Sequence, residues 1–101
     1  MLKNMNQLMK QAQALQERLK QQLDQIDVEA SAGGGMVSVR MNGNKTVTGI
    51  RIDPEVVSRD DVEMLQDLIV AAVNEAARKV DAEAQRQLGS MAGNLKIPGL
   101  F

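Results

Sequence analysis

Apolar side chains recur along the first quarter of the chain in alternating steps of three and four: Met5, Leu8, Ala12, Leu15, Leu19 and Ile26, with Gln22 the one polar interruption. That spacing sets them on one side of an α-helix and reads as a heptad seam. Leu2, Met9 and Leu23 broaden the stripe, and the glutamine-rich remainder is neutral and compatible with helix. The pattern predicts a first helix over about residues 2–27. At ~1.5 Å per residue it would be on the order of 38 Å long. A small sheet cannot cover that length, so part of the seam is expected to meet another chain.

From Val28 the period changes to two. Val28, Ala30 and Ala32 alternate with Glu29 and Ser31 and run into Gly33-Gly34-Gly35, a short strand and a turn. Val37, Val39 and Met41 then alternate with Ser38, Arg40 and Asn42, and Asn42-Gly43-Asn44 is hairpin chemistry because these residues accept positive φ. The returning strand, Thr46 to Asp53, carries Ile50 and Ile52 on one face and Arg51 on the other, and Pro54 ends its ladder. A three-stranded antiparallel sheet over about residues 28–53 follows.

Ser58-Arg59-Asp60-Asp61 resembles a capping arrangement, and Asp60, Asp61 and Glu63 put negative charge where a helix dipole favours it. The stripe Leu65, Leu68, Ile69, Ala72, Val73, Ala76 and Val80 keeps helical spacing, and Gly89 offers a stop, which predicts a second helix over about residues 59–88. Residues 89–101 contain Gly, Pro and Asn yet include Ile97, Leu100 and Phe101, so they read as a loose tail or a short clasp on a neighbour. No repeat or linker interrupts the chain. The expectation is one α+β domain over residues 1–101, ordered α-β-β-β-α, with two long helices flanking the sheet.

Composition sharpens the picture. The apolar share is 44%, but the one aromatic residue is Phe101. Aliphatic side chains bury less area each than aromatic ones, and a chain of 101 residues makes a thin core, so an oligomer is expected. With no cysteine and no histidine, the usual disulfide, metal and general-base chemistry is absent, and neither an enzyme nor a bound metal or cofactor is expected. The glycine run precedes a strand, whereas phosphate-cradling loops open a helix. Asp60, Asp61 and Glu63 are accounted for by the helix dipole without a metal. No stretch approaches the ~20 apolar residues of a membrane span and no leader is visible, so a cytoplasmic location is expected.

Net charge is −1, so any attraction for polyanions must be local. Charge is segregated. Lys3, Lys10, Arg18 and Lys20 stand against Glu17 in the first 20 residues, and the strand region adds Arg40, Lys45 and Arg51. Asp53, Glu55, Asp60, Asp61, Glu63 and Asp67 stand against Arg59 between residues 53 and 67. Taken alone, such a basic side is more often an ordinary solvated face than a nucleic-acid site; if it binds nucleic acid, the lack of aromatic residues to stack on bases suits duplex phosphates rather than single strands.

Four segments in order, Leu8-Met-Lys-Gln-Ala-Gln13, Gly35-Met-Val-Ser-Val-Arg-Met-Asn-Gly43, Ile52-Asp-Pro54 and Met64-Leu-Gln-Asp-Leu-Ile-Val-Ala-Ala-Val-Asn-Glu-Ala-Ala-Arg-Lys79, resemble the YbaB/EbfC family of bacterial nucleoid-associated proteins. The likeness runs essentially the full chain. It implies an α-β-β-β-α fold, a tweezer-shaped homodimer and binding of double-stranded DNA in the nucleoid with limited sequence preference. Carried onto this sequence, the family's DNA-contacting positions on the two helices correspond to Lys3, Lys10, Arg18, Lys20, Arg78, Lys79 and Arg86. Met5, Leu8, Leu15, Leu19 and Ile26 form the candidate dimer or core seam. The rival reading is a protein-interaction module acting with replication or recombination factors, docked through the same apolar seams.

Overall fold

The computed structural model describes residues 2–95, and side chains over residues 4–90. Helix α1 (Leu2–Gln25) leads into strands β1 (Asp27–Ala32), β2 (Val37–Asn42) and β3 (Val47–Ile52). Two 3-10 turns (Pro54–Val56 and Arg59–Asp61) then precede helix α2 (Val62–Leu95). The three strands form one antiparallel sheet in the order β1-β2-β3. The alternation in the sequence sets which face is covered. Val37, Val39 and Met41 of the central strand, with Ala30 of β1, are buried under Ala72, Ala76 and Val80 of α2. Ala72 and Ala76 bring almost no side chain to the contact, so the helix backbone lies close on the sheet.

Gly33, Gly34 and Gly35 join β1 to β2 with φ of 66°, 67° and 95°, conformations that side chains with a Cβ rarely adopt. The β2–β3 hairpin departs from the sequence expectation. Its positive φ falls on Lys45 (61°), not on the Asn-Gly-Asn run. The Asn42 side chain explains this: its Oδ1 accepts from the Asn44 and Thr46 amides at 2.9 and 3.1 Å, and that loop closure moves the left-handed residue one place on. Gly43 serves packing instead. A Cβ there would lie 2.6 Å from the Leu23 carbonyl carbon, so the hairpin tip rests directly on the last turns of α1.

Helix α2 differs at both ends from the 59–88 expected. Ser58 Oγ accepts from Asp60 N at 3.2 Å and so caps the 3-10 turn, while Asp61 Oδ1 accepts from Met64 N at 3.1 Å and caps α2 itself. At the other end the helix passes through Gly89 to Leu95. Gly89 does not take the left-handed conformation of a helix stop, and one interior glycine costs only ~1 kcal/mol against alanine, too little to break a helix flanked by good formers. The tail positions Ile97, Leu100 and Phe101 lie outside the described residues.

The molecule is 70 Å long but only 26 × 17 Å across. Ile26 is buried in the core, and Leu23 packs against it. Going back along α1 the seam emerges: Leu19 is half-buried, Leu15 is 44% exposed and Leu8 64%. Most of α1 is therefore an arm projecting from the fold.

Candidate nucleic-acid interface

At ~100° per residue, Leu8, Ala12, Leu15 and Leu19 fall about 140–200° around α1 from Lys10. The helix thus has an apolar inner side and a basic outer side. Arg18 and Lys20 fall roughly 80° to either side of Lys10, and all three are exposed. Lys3 occupies the same row as Lys10 by its seven-residue spacing; its side chain is outside those described. Glutamines fill much of the rest of the outer side, while Glu17 falls within about 20° of Lys10, between Arg18 and Lys20, and Asp24 follows it in the same row, both exposed.

The seven candidate cations are not equivalent. Arg78 Nη2 lies 2.6 Å from Glu75 Oε2, Arg86 is paired with Glu83, and Lys79 Nζ donates to the Glu29 carbonyl at 2.8 Å. Hydrogen bonding from the Arg86 guanidinium holds the Glu83 carboxyl below its ordinary range, opposed by desolvation and assisted by Gln87. The same bond raises Arg86. The strand cations are engaged too: Arg40 with Asp27 at 2.9 Å, Lys45 with Asp81 at 2.8 Å and Arg51 with Glu29 at 3.3 Å. Among the described residues, Lys10, Arg18 and Lys20 have no carboxylate within ion-pair distance. The Glu75–Arg78 and Glu83–Arg86 pairs are legible in the sequence as i,i+3 spacings; the reach of Lys79 to β1 is not.

The acidic stretch sits at the other end. Asp53, Asp60, Asp61 and Glu63 cluster about the start of α2, a helix of 34 residues, or ~51 Å. Asp53 Oδ1 and Asp61 Oδ1 cap backbone amides there. The separation keeps this acidic stretch away from the arm, beyond the ~8–10 Å screening length of physiological salt.

A second feature is not legible in the sequence. The register pairs Val39 with Ile50 and Met41 with Val47, so the β3 side chains share the covered face of β2. Yet α2 lies across β1 and β2, and Ile50 and Val47 remain 49% and 44% exposed. Lys79 fixes which flank of α2 overlooks β1. Val70, Val73 and Ala77 fall on the opposite flank, beside β3. Val47 and Ile50 of β3 and Val70 of α2 are thus large apolar side chains left exposed on this flank. Between the helices, Leu19 and Leu23 of α1 face Ala84 and Leu88 of α2 across an apolar cleft of ≈ 180 Å³.

Comparison with known proteins adds identity to this geometry. The model of the YbaB/EbfC DNA-binding family matches residues 1–95. A nucleoid-associated protein of Acetivibrio thermocellus is 54% identical over 102 residues, covering 97% of this chain and 90% of that protein. One from Alkaliphilus metalliredigens is 50% identical over 101 residues, covering 97% and 89%. A crystal structure of an uncharacterized Helicobacter pylori protein shares the fold, with a TM-score of 0.65 over 83% of this chain and 98% of that one, at 24% identity.

Proposed function

We propose a mode of DNA binding from one premise: the chain belongs to the YbaB/EbfC DNA-binding family. It is a nucleoid-associated DNA-binding protein. Two copies join through the apolar face of Val47, Ile50 and Val70, each covering what the other leaves to water, and the α1 arms of the dimer then grip a duplex. Such a face on a small fold is what a second copy would bury.

The observation that carries this reading is the unpaired row Lys10, Arg18 and Lys20 on the outer side of a projecting arm. Cations already held by carboxylates must give up those partners before they neutralise phosphate; these three need not. Contacts with phosphates position a protein without reading sequence, and among the described residues no aromatic side chain stands beside the row to stack on bases. Binding with little sequence preference follows, and no catalytic step is involved. Lys3 extends the row, and Arg78, Lys79 and Arg86 contribute less.

Two triple variants test the assignment by fluorescence anisotropy on a mixed-sequence duplex. Lys10→Ala with Arg18→Ala and Lys20→Ala is expected to remove most of the affinity, while Arg78→Ala with Lys79→Ala and Arg86→Ala loses a minor part. The reverse order would overturn the assignment. Retention of full affinity by both, with capture of a replication or recombination factor through α1, would favour the adaptor reading.

A further inference from the structure

From residue 4 to residue 18 every position of α1 is exposed, about four turns of bare helix. Within about 60° of Lys10 the outer side of this stretch carries Asn6, Gln7, Gln13, Ala14 and Glu17. All but the small Ala14 end in a hydrogen-bonding group. Glu17 stands apart from the others by its charge. Its carboxylate forms no ion pair among the described residues, although Arg18 and Lys20 flank it about 100° and 60° away around the helix. Asp24, next in that row, is engaged: its Oδ1 accepts from Asn44 Nδ2 at 2.6 Å.

A carboxylate in the middle of a phosphate-binding row weakens the grip if the row lies flat on the sugar-phosphate backbone, because the nearest phosphates then face Glu17. The flanking cations fit another placement. Arg18 and Lys20 stand on opposite flanks of the helix, roughly 160° apart, as two strands of phosphates stand on either side of a groove. A helix with its side chains is about 10–12 Å across, the major groove about 12 Å wide and the minor groove only about 6 Å. We propose that α1 enters the major groove, with Arg18 and Lys20 on the phosphates of its two walls and Lys10 and Glu17 turned to its floor. There the carboxylate meets base edges instead of phosphate, and cytosine offers it the N4 amino group as a donor. One acceptor among contacts that are otherwise to phosphate adds a preference for cytosine at a single position, and most sequences are still bound. The inner stripe of Leu8, Ala12, Leu15 and Leu19 faces out of the groove. This placement rests on the arm being the DNA contact.

Groove-specific competitors test this in the intact protein bound to a mixed-sequence duplex, followed by anisotropy. Methyl green, which occupies the major groove, should displace the protein, and netropsin, which occupies the minor groove, should not. The reverse would overturn the proposal, and so would displacement by neither. Glu17 gives a second reading. The wild-type protein should bind a G·C-rich duplex about fivefold tighter than an A·T-rich one of equal length, the effect of a modest base contact. Glu17→Gln, at a site too exposed to disturb the fold, should lose or reverse that preference, because an amide suits adenine N6 and N7. Equal binding of the two duplexes by wild type would overturn the floor contact. A Glu17→Gln protein that gains affinity equally for both would show the carboxylate facing phosphate and overturn the groove placement. The triple variant at Lys10, Arg18 and Lys20 keeps the two readings apart. If it loses affinity while the competitors and Glu17→Gln go against the groove, the arm still holds DNA and only its placement fails. If it keeps full affinity, the arm assignment fails and the groove placement with it.

Discussion

Gly43→Ala tests how the arm is anchored. The added methyl would stand 2.6 Å from the Leu23 carbonyl carbon and 3.0 Å from its Cα, and closer still to the carbonyl oxygen. All three are backbone atoms, so no rotamer change relieves the clash, and the hairpin and the end of α1 must separate by about an ångström to restore ordinary contact. Overpacking of this kind costs ~1–3 kcal/mol. Lifting α1 also exposes part of Ile26, whose full burial is worth ~1.5–3 kcal/mol. A loss of about 3–5 kcal/mol is expected, a large share of the ~5–15 kcal/mol that typically holds a domain together. Two controls isolate the cause. Gly49→Ala meets nothing within 4 Å and should be nearly neutral, and Gly34→Ala also meets nothing but sits at φ +67° and should lose ~1–2 kcal/mol. Urea unfolding followed by circular dichroism, at one fixed protein concentration because association adds to stability, gives the three values. A Gly43→Ala protein within ~0.5 kcal/mol of wild type with an unchanged m-value would refute the seating of the hairpin on α1.

Other outcomes follow from the same geometry. Ile50→Asp puts a charge in the centre of the proposed dimer face, and light scattering should find a dimer for the parent protein and a monomer for the variant. Ala76→Leu forces a larger side chain between α2 and β2 and should cost ~1–3 kcal/mol in urea unfolding. The Glu83 carboxyl should titrate below an ordinary glutamate by NMR, and Arg86→Ala should return it to the ordinary range. Because its folded pKa is depressed, the pair's contribution is complete above the unfolded glutamate pKa and disappears as pH falls through the folded one. Lys45→Met removes an ion pair whose partners are both half exposed, and the effect on stability should be under ~1 kcal/mol.

Much of this architecture is legible in periodicity. The switch from three-and-four spacing to strict alternation at Val28 locates the sheet, and the apolar positions Val37, Val39 and Met41 mark its buried face. Turn chemistry is less transparent. Asn42-Gly43-Asn44 marks the hairpin, but the reason for glycine is the approach of Leu23, twenty residues away in sequence, which no local pattern encodes. Gly89 looks like a stop because a glycine near a helix end often is one. Local composition cannot reveal that the backbone there stays right-handed. At the site, residue type identifies the cations, and only the fold divides them, by bringing Glu29 of β1 to Lys79 and leaving Lys10, Arg18 and Lys20 alone. The bare face of β3 is hidden for a similar reason. Ile50 and Ile52 alternate as a core strand does, and only the lateral position of α2 leaves Ile50 uncovered.

That a dimer of this chain holds duplex phosphates through its α1 arms is tested most directly by anisotropy on a mixed-sequence duplex at roughly 50 and 200 mM salt, with the mass in solution measured alongside. Each phosphate neutralised should lower affinity ~3.5-fold across that interval, so four contacts give a fall of about 150-fold. A particle of twice the 11.0 kDa chain mass with that steep dependence is the predicted result. A dimer that ignores the duplex at both salts, or binds it equally at both, would contradict this mode of binding.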